Sequence, residues 1–249
     1  MAGKPDGDLA GTTAVVTGST SGIGEAVARA LAARGASVVL NSVSSAQAGR
    51  ALAAELPDAC YVQGDVSVED EARGLVTAAL DRWGRLDVLV NNAGWTSRIP
   101  HHDLAGATDE VWRRTLDVNL MGTWYATRAA ATALRADGGG VVVNVSSMAG
   151  LRPSGSSIPY AVSKAALNHL TLCLANVLAP EVRVNAVAPG LVDTPWSADW
   201  TDLHEAVAAA APLRRTAQPE DVAQACLALI GGGYVTGQVL AVEGGLLLR

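Results

Sequence analysis

Thr13-Ala-Val-Val-Thr-Gly18-Ser-Thr-Ser-Gly22-Ile-Gly24-Glu-Ala-Val-Ala-Arg-Ala-Leu-Ala-Ala-Arg-Gly35-Ala-Ser-Val-Val-Leu40 is the stretch whose reading decides the fold. Thr13 to Val16 is a short apolar, β-branched run of the kind that forms a buried strand. An alanine-rich helical pattern runs from Glu25 to Arg34, with Gly35 as its candidate C-terminal cap. Ser37 to Leu40 is a second strand. The spacing is therefore β-α-β in under thirty residues, with the glycines at the first turn. Glycines there let backbone approach a pyrophosphate, and the N-terminus of a helix favours its negative charge. A glycine-rich turn alone is weak evidence, because many chains use one only to turn tightly. A strand before it and a helix after it point to a dinucleotide.

Composition bounds the remaining possibilities. The chain has 249 residues, 49% of them apolar, with no phenylalanine and a formal net charge of −6. An acidic balance argues against a nucleic-acid partner, and no apolar run is long enough for a membrane span. Met1 to Asp8 reads as a polar tail without the apolar centre of a signal peptide. Cys60, Cys173 and Cys226 are odd in number and far apart. They fit reduced, buried thiols in a cytoplasm and suit neither a disulfide framework nor a zinc site. Heavy use of Ala, Gly, Val and Arg suggests a GC-rich bacterial genome.

Tyr160-Ala-Val-Ser-Lys164 carries the chemistry. The chain has only two lysines, Lys4 and Lys164, against sixteen arginines. The i, i+4 spacing sets phenol and ammonium on one helix face. A neighbouring cation favours phenolate, so Lys164 is expected to lower the Tyr160 pKa toward a value useful for proton transfer.

With Gly18, Gly22 and Gly24 spaced as Gly-x-x-x-Gly-x-Gly, and with Tyr160 and Lys164, the chain resembles the classical short-chain dehydrogenase/reductase family from about residue 10 onward. It is similar in particular to members that reduce 3-oxoacyl-[acyl-carrier-protein]. The resemblance implies a single Rossmann-type α/β domain, doubly wound, with a seven-stranded parallel sheet and helices on both faces. It also implies a nicotinamide cofactor and a homo-oligomer, a tetramer or dimer. Carried over residue by residue, it places Gly18, Ser21, Gly22, Ile23 and Gly24 at the pyrophosphate and Asp65 with Val66 at the adenine. Asn92, Ala93 and Gly94, in Asn91-Asn-Ala-Gly94, lie beneath the nicotinamide ribose. Pro189, Gly190, Val192 and Thr194 meet the carboxamide. Tyr160 is the proton donor or acceptor, and Ser147, thirteen residues before it, holds the substrate oxygen. Lys164 tunes the tyrosine and grips the ribose, and Asn119 binds a water that links the lysine to solvent.

After the second strand, Asn41-Ser-Val-Ser-Ser45 has no carboxylate to repel a 2′-phosphate, and none follows through Ala54. Asn41 and Ser42 could hydrogen-bond that phosphate, with Arg50 near, so NADP(H) is favoured over NAD(H). Ser21 stands where NADP-preferring relatives often carry a basic residue, which weakens the case.

Further strands are expected at Ala59–Val62, Leu86–Val90, Val141–Val145, Val182–Val187 and near Val239. Ser67 and Asp70 suggest a capping box opening a helix to about Trp83. Thr108 opens a long helix to about Ala136 with Trp112, Leu116 and Leu120 as its apolar stripe. Gly138 to Gly140 reads as a hinge, Tyr160 opens a helix ending at Leu178, and Pro219 opens the last one. His101 and His102 read as loop residues that could rim the pocket, with no metal. Residues 191–212 read as a substrate lid carrying Trp196 and Trp200. Trp95, Met148, Leu151 and Trp196 suggest a moderately apolar substrate. Ser146, next to the catalytic serine, should face away. Leu246 to Leu248 should be buried at a subunit interface.

Three functions compete. The first is an NADP(H)-dependent reductase of ketones or 3-oxoacyl thioesters. The second is an NAD-dependent dehydrogenase of secondary alcohols. The third is a non-catalytic dinucleotide-binding regulator, which the intact set Asn119, Ser147, Tyr160 and Lys164 disfavours.

Overall fold

The computed structural model describes residues 9–136 and 138–248, so the expectations for the first eight residues lie outside the described residues. Seven strands form one sheet in the order β3-β2-β1-β4-β5-β6-β7. They are β1 Thr13–Val16, β2 Ser37–Ser42, β3 Ala59–Gln63, β4 Val88–Asn91, β5 Gly140–Val145, β6 Val182–Pro189 and β7 Val239–Val242. Every neighbouring pair is parallel. Helices α1 Gly22–Ala33, α2 Ala46–Glu55, α3 Glu69–Trp83, α4 Asp109–Leu116, α5 Gly122–Arg135, α6 Ile158–Leu178, α7 Thr201–Ala210 and α8 Pro219–Gly231 complete the chain.

Side chains alternate across a strand, so a sheet covered on both faces needs apolar residues throughout. Ala14, Val16, Val38, Leu40, Val90 and Val143 pack in one layer with Val27 and Leu31 of α1 and Val222 and Cys226 of α8. Their neighbours Val15, Val39, Leu89, Val142 and Val184 pack in the other layer with Leu75 of α3, Leu134 of α5 and Leu174 of α6. The expected doubly wound Rossmann-type architecture is thus present. β1 pairs with both β2 and β4, through Val16 with Leu40 and with Val90. The strand order reverses there, and the loops leaving β1 and β4 part to open a crevice at the carboxyl edge.

Several local readings change. α2 has no counterpart in the sequence reading; it buries just Gly49 and Leu52 and so carries almost no apolar periodicity. The capping box is absent. Val68 is the N-cap residue of α3 and makes no side-chain cap, because Ser67 Oγ donates instead to Asp65 Oδ1 at 2.6 Å. The helix from Thr108 is interrupted by a π-helical turn, Asp117–Met121. Its deeply buried stripe is Thr115, Val118, Asn119, Gly122, Ala126, Ala130 and Leu134. Trp112, Leu116 and Leu120 are only half-buried. Small residues win the inner face because the helix runs close to the core: a Cβ on Gly122 would lie 2.8 Å from Val66 Cγ2. Of the cysteines, Cys226 is buried, Cys60 half-buried and Cys173 exposed, so the reading of three buried thiols holds only for the first. Within the single chain Leu246 is buried and Leu248 is 84% exposed, which leaves an apolar side chain at the surface where a subunit interface was expected.

Arg183 of β6 has no counterpart in the sequence reading. Its guanidinium donates to Leu229 O at 2.8 Å, Ile230 O at 2.5 Å and Val235 O at 3.1 Å. These include carbonyls at the end of α8 that no helical N–H can reach, and a cation suits that negative pole. Arg183→Met should therefore lose about 2–3 kcal/mol of stability, since the carbonyls stay half-buried without a donor. Urea denaturation of the two proteins checks this; an unchanged midpoint would remove Arg183 from the account.

Candidate active site

The crevice holds a cleft of about 750 Å³ that runs from the glycine turn past the end of β4 to Tyr160. Its cradle is built by close approach. Gly18 has φ +60°, and a Cβ there would lie 2.9 Å from Ala93 Cα. A Cβ on Gly24 would strike Gly18 O and the Asn92 amide. Asn92 Nδ2 donates to Thr17 O at 2.9 Å and Gly18 O at 2.8 Å. Thr17 Oγ1 in turn accepts from the backbone N–H groups of Asn92 and Ala93 at 2.9 and 3.0 Å. Thr17 and Asn92 thus staple the two diverging loops together. The first turn of α1 has no side-chain cap from Ser21. Its N–H groups lie at the cleft wall formed by Ser21, Gly22 and Ile23, as an anion would require. Gly24 does not line the cleft; it fits behind the turn.

Asn41 is in the predicted place but differently employed. It is 1% exposed. Its Oδ1 accepts from Gly18 N at 3.2 Å, and its Nδ2 donates to Val62 O at 3.2 Å and Gly64 O at 3.0 Å. Both amide hydrogens are committed, so the side chain braces the turn and has no donor left for a 2′-phosphate. Ser42 Oγ shares a 2.8 Å hydrogen bond with Tyr61 OH and, with Val43, lines the cleft. Arg50 is exposed and does not line it. Asp65 and Val66 do. The Asp65 carboxylate accepts from Ser67 and from Arg114 Nη2 at 3.1 Å, and these bonds hold its pKa below the usual carboxylate range although burial opposes them.

At the deep end, α6 delivers Tyr160 and Lys164. Ser157 Oγ caps α6 by accepting from Tyr160 N at 3.3 Å, and Pro159 occupies its first turn. Ser147 follows β5 and lines the cleft together with Tyr160. The Ser146 hydroxyl turns to α6 as expected, donating to Asn168 Oδ1 at 2.6 Å and to Lys164 O at 3.2 Å, while the residue also borders the cleft. Gly150 must be glycine for this packing: a Cβ would lie 2.6 Å from Lys164 C.

Lys164 is 3% exposed and donates one hydrogen bond, to Val145 O at 2.8 Å, with Nζ 5.7 Å from the Tyr160 ring centre. An ammonium has three donors, so two remain for a ligand in the cleft. Burial pulls the Lys164 pKa from 10.5 to about 8. Burial likewise raises the Tyr160 pKa, with the Ser147 hydrogen bond opposing it. The expected downward shift of Tyr160 is thus overturned for the free protein. Half-buried in the cleft floor, the phenolate loses more hydration than the Ser147 hydroxyl returns.

Asn119 sits in the π-helical turn and does not line the cleft. Its Oδ1 accepts from Trp95 N at 2.7 Å, and its Nδ2 donates to Trp95 O at 3.0 Å and Ser163 Oγ at 2.9 Å. Ser163 Oγ donates to Tyr160 O at 2.7 Å. The Asn119 side chain therefore joins α6 to the loop after β4 and is not spare to hold a water. Sequence reasoning missed Ser163, Thr17, Arg114 and Val145 because their roles depend on contacts between distant segments.

Pro189, Gly190, Val192 and Thr194 line the cleft, and Thr194 reaches back over the glycine turn: a Cβ on Gly22 would lie 3.1 Å from its Cγ2. Residues 191–212 fold into a short turn, Pro195–Ser197, and α7. Trp95, Met148, Trp196 and Trp200 line the cleft, and Arg98 lies over the Trp200 ring at 5.7 Å. His101 lines the cleft, whereas His102 does not. Leu151 is 42% exposed and also lies off the cleft, because the turn at Met148–Gly150 directs it to solvent. Among the described residues there is no cluster that could hold a metal ion and no helix long and apolar enough to cross a membrane.

A glycine cradle at a topological switch point, an uncapped helix start and a lysine with spare donors beneath it define a dinucleotide-dependent α/β oxidoreductase. Comparison with known proteins gives the family. A family model described as enoyl-(acyl carrier protein) reductase matches residues 18–247. A Streptomyces violaceoruber protein named as ketoacyl reductase 2 of the granaticin polyketide synthase is 57% identical over 235 residues, covering 93% of this chain and 94% of the relative. The cis-4-hydroxycyclohexanecarboxylate dehydrogenase of Sinomonas cyclohexanicum is 41% identical, over 93% of this chain and 95% of its own. A solved short-chain type dehydrogenase/reductase from Mycobacterium ulcerans superposes with a TM-score of 0.90 at 36% identity, covering 97% of this chain and 92% of that one. The chain belongs to the short-chain dehydrogenase/reductase family and is an NAD(P)-dependent oxidoreductase.

The buried lysine yields a stability test. Native Lys164 loses its proton near pH 8 and the unfolded lysine near 10.5, so between these values the unfolded chain binds more protons. Burying the ammonium therefore costs stability below pH 8, and the cost fades as pH rises toward 10.5. Lys164→Met should be about 1–3 kcal/mol more stable than the parent at pH 7, and this advantage should shrink by pH 10. Urea titrations of both proteins at the two pH values check it, and a constant difference would contradict the assignment.

Proposed function

We propose that the protein reduces a ketone, a 3-oxoacyl thioester included, with NADPH. The observation that carries this reading is the phenol of Tyr160, set beside Ser147 and near a buried lysine at the deep end of a dinucleotide cleft. When bound, the cofactor supplies hydride chemistry at a carbonyl carbon. The first turn of α1 holds the pyrophosphate, Asp65 and Val66 border the adenine, and the two spare Lys164 donors take ribose hydroxyls. Ser147 Oγ donates to the carbonyl oxygen and fixes its position. Tyr160 gives that oxygen its proton as charge develops there. Asn119 acts as a positioning residue through Trp95 and Ser163.

The preference for NADP(H) rests on the absence of a carboxylate beside Ser42 and Val43, now without help from Asn41 or Arg50. The ketoacyl reductase name of the 57% identical relative supports the substrate class. Trp95, Met148 and Trp196 suit an apolar body, with residues 191–212 as its lid. The working form is a cytoplasmic homo-oligomer.

Tyr160→Phe should lower kcat at least about a hundredfold while leaving NADPH affinity unchanged; near-parental turnover of a good ketone would refute the donor role. Titration with NADPH and NADH tests the cofactor. Tighter NADPH binding is expected, and equal or tighter NADH binding would remove the phosphate preference.

A further inference from the structure

Ala59-Cys-Tyr61-Val-Gln63 forms β3, and the phenol of Tyr61 reaches the end of β2. The two strands pair in parallel with Leu40 opposite Tyr61, so Tyr61 projects on the same side of the sheet as Ser42, two residues further along β2. Tyr61 OH and Ser42 Oγ share a 2.8 Å hydrogen bond, and Tyr61 OH lies 3.3 Å from Ser42 O. Helix α2 holds the ring in place. A Cβ on Gly49 would strike Tyr61 Cδ2, so the ring packs directly on the α2 backbone. That helix buries only Gly49 and Leu52, and the glycine is there to seat Tyr61.

Ser42 lines the cleft and Tyr61 does not. The end of the second strand is where dinucleotide folds read the ribose that carries or lacks a 2′-phosphate. Other groups there are spent: Asn41 Nδ2 donates to Val62 O and Gly64 O, and Arg50 does not line the cleft. The Ser42 hydroxyl has one hydrogen and two lone pairs, and Tyr61 decides which of these a ligand meets. Ser42 O already accepts from Gly64 N at 3.1 Å, so the phenolic hydrogen has its shorter and less contested acceptor in Ser42 Oγ. With one lone pair engaged by Tyr61, the serine hydrogen is left for the cleft. A phosphate dianion presents only acceptors, whereas a ribose hydroxyl can pair with a donor or an acceptor.

We propose that Tyr61 is a positioning residue for NADP(H): through Ser42 it aims a hydrogen-bond donor at the 2′-phosphate and so sets the preference over NAD(H). The inference rests on the NADP(H) reading and gives it a mechanism in this chain's own residues. Hydrogen bonds to charged groups are about twice as strong as neutral ones. A hydroxyl that accepts a hydrogen bond is polarised toward giving its own. Tyr61 therefore acts on the phosphate without touching it, and acts less on a ribose hydroxyl.

Equilibrium titration of NADPH and NADH against the full-length protein reads the effect without turnover. Ser42→Ala should weaken NADPH binding at least about tenfold and NADH binding less than about threefold. Tyr61→Phe keeps the ring against Gly49 and should weaken NADPH about fivefold and NADH less than about twofold. Added to Ser42→Ala, Tyr61→Phe should change NADPH affinity less than about twofold, because its effect passes through the serine. Equal weakening of both cofactors by Tyr61→Phe, no weakening of NADPH, or the same loss with and without the Ser42 hydroxyl each overturns the proposal. A parent protein that binds NADH as tightly as NADPH fails the NADP(H) reading itself, and the proposal falls with it; that result needs no variant and is distinct from the others.

Discussion

Lys164 is an ammonium 3% exposed to solvent and held in the protein by one carbonyl, Val145 O. A buried cation is expensive unless partners return what hydration gave. Much of the surrounding architecture exists to keep it there. β5 brings the accepting carbonyl, Gly150 lets the turn after Ser147 pack on the Lys164 backbone, and Ser146 Oγ donates to the Lys164 carbonyl. The lowered pKa records the shortage of partners, and the unused donors record where the missing ones would come from.

The same economy of close approach governs the cofactor cradle. The reversal of strand order between β1 and β4 opens the crevice, but a crevice is only space. Thr17 and Asn92 cross-brace its lips, Asn41 ties the turn to β2 and β3, and Gly18 and Gly24 allow the backbones to come together. Asn41 and Asn92, both expected at the cofactor, line the cleft and also brace its framework. Asn119 is a third bracing amide, with all its side-chain bonds spent on Trp95 and Ser163. Their value to the chemistry is rigidity, which holds the phenol and serine in a fixed relation.

The architecture was largely legible because parallel strands buried on both faces declare themselves as runs such as Val141-Val-Val and because the glycine spacing marks the first turn. Tyr160, Ser147 and Lys164 were legible for a similar reason: their spacing is local or follows a strand. What the sequence hid was whatever depended on two distant segments meeting. The direction of the Tyr160 shift could not be read from a one-turn spacing, since burial by the whole cleft outweighs one neighbour. Helix α2 was hidden by its weak apolar face, and the inner stripe of α4 and α5 by its small residues, which pack closely where larger ones would not fit. Leu151 was placed at the substrate by its nearness in sequence to Ser147, but one turn of backbone points it outward.

A chain with only two lysines allows the central interaction to be observed directly. In protein labelled with ¹³C at lysine Cε, NMR should show two titrating lysine signals, assigned by their presence or absence in Lys164→Met. The Lys164 signal should titrate at about 8. A Lys164 signal that titrates near the ordinary lysine value of about 10.4 would show that the side chain is hydrated, and would contradict the account of a buried, underbonded ammonium near Tyr160.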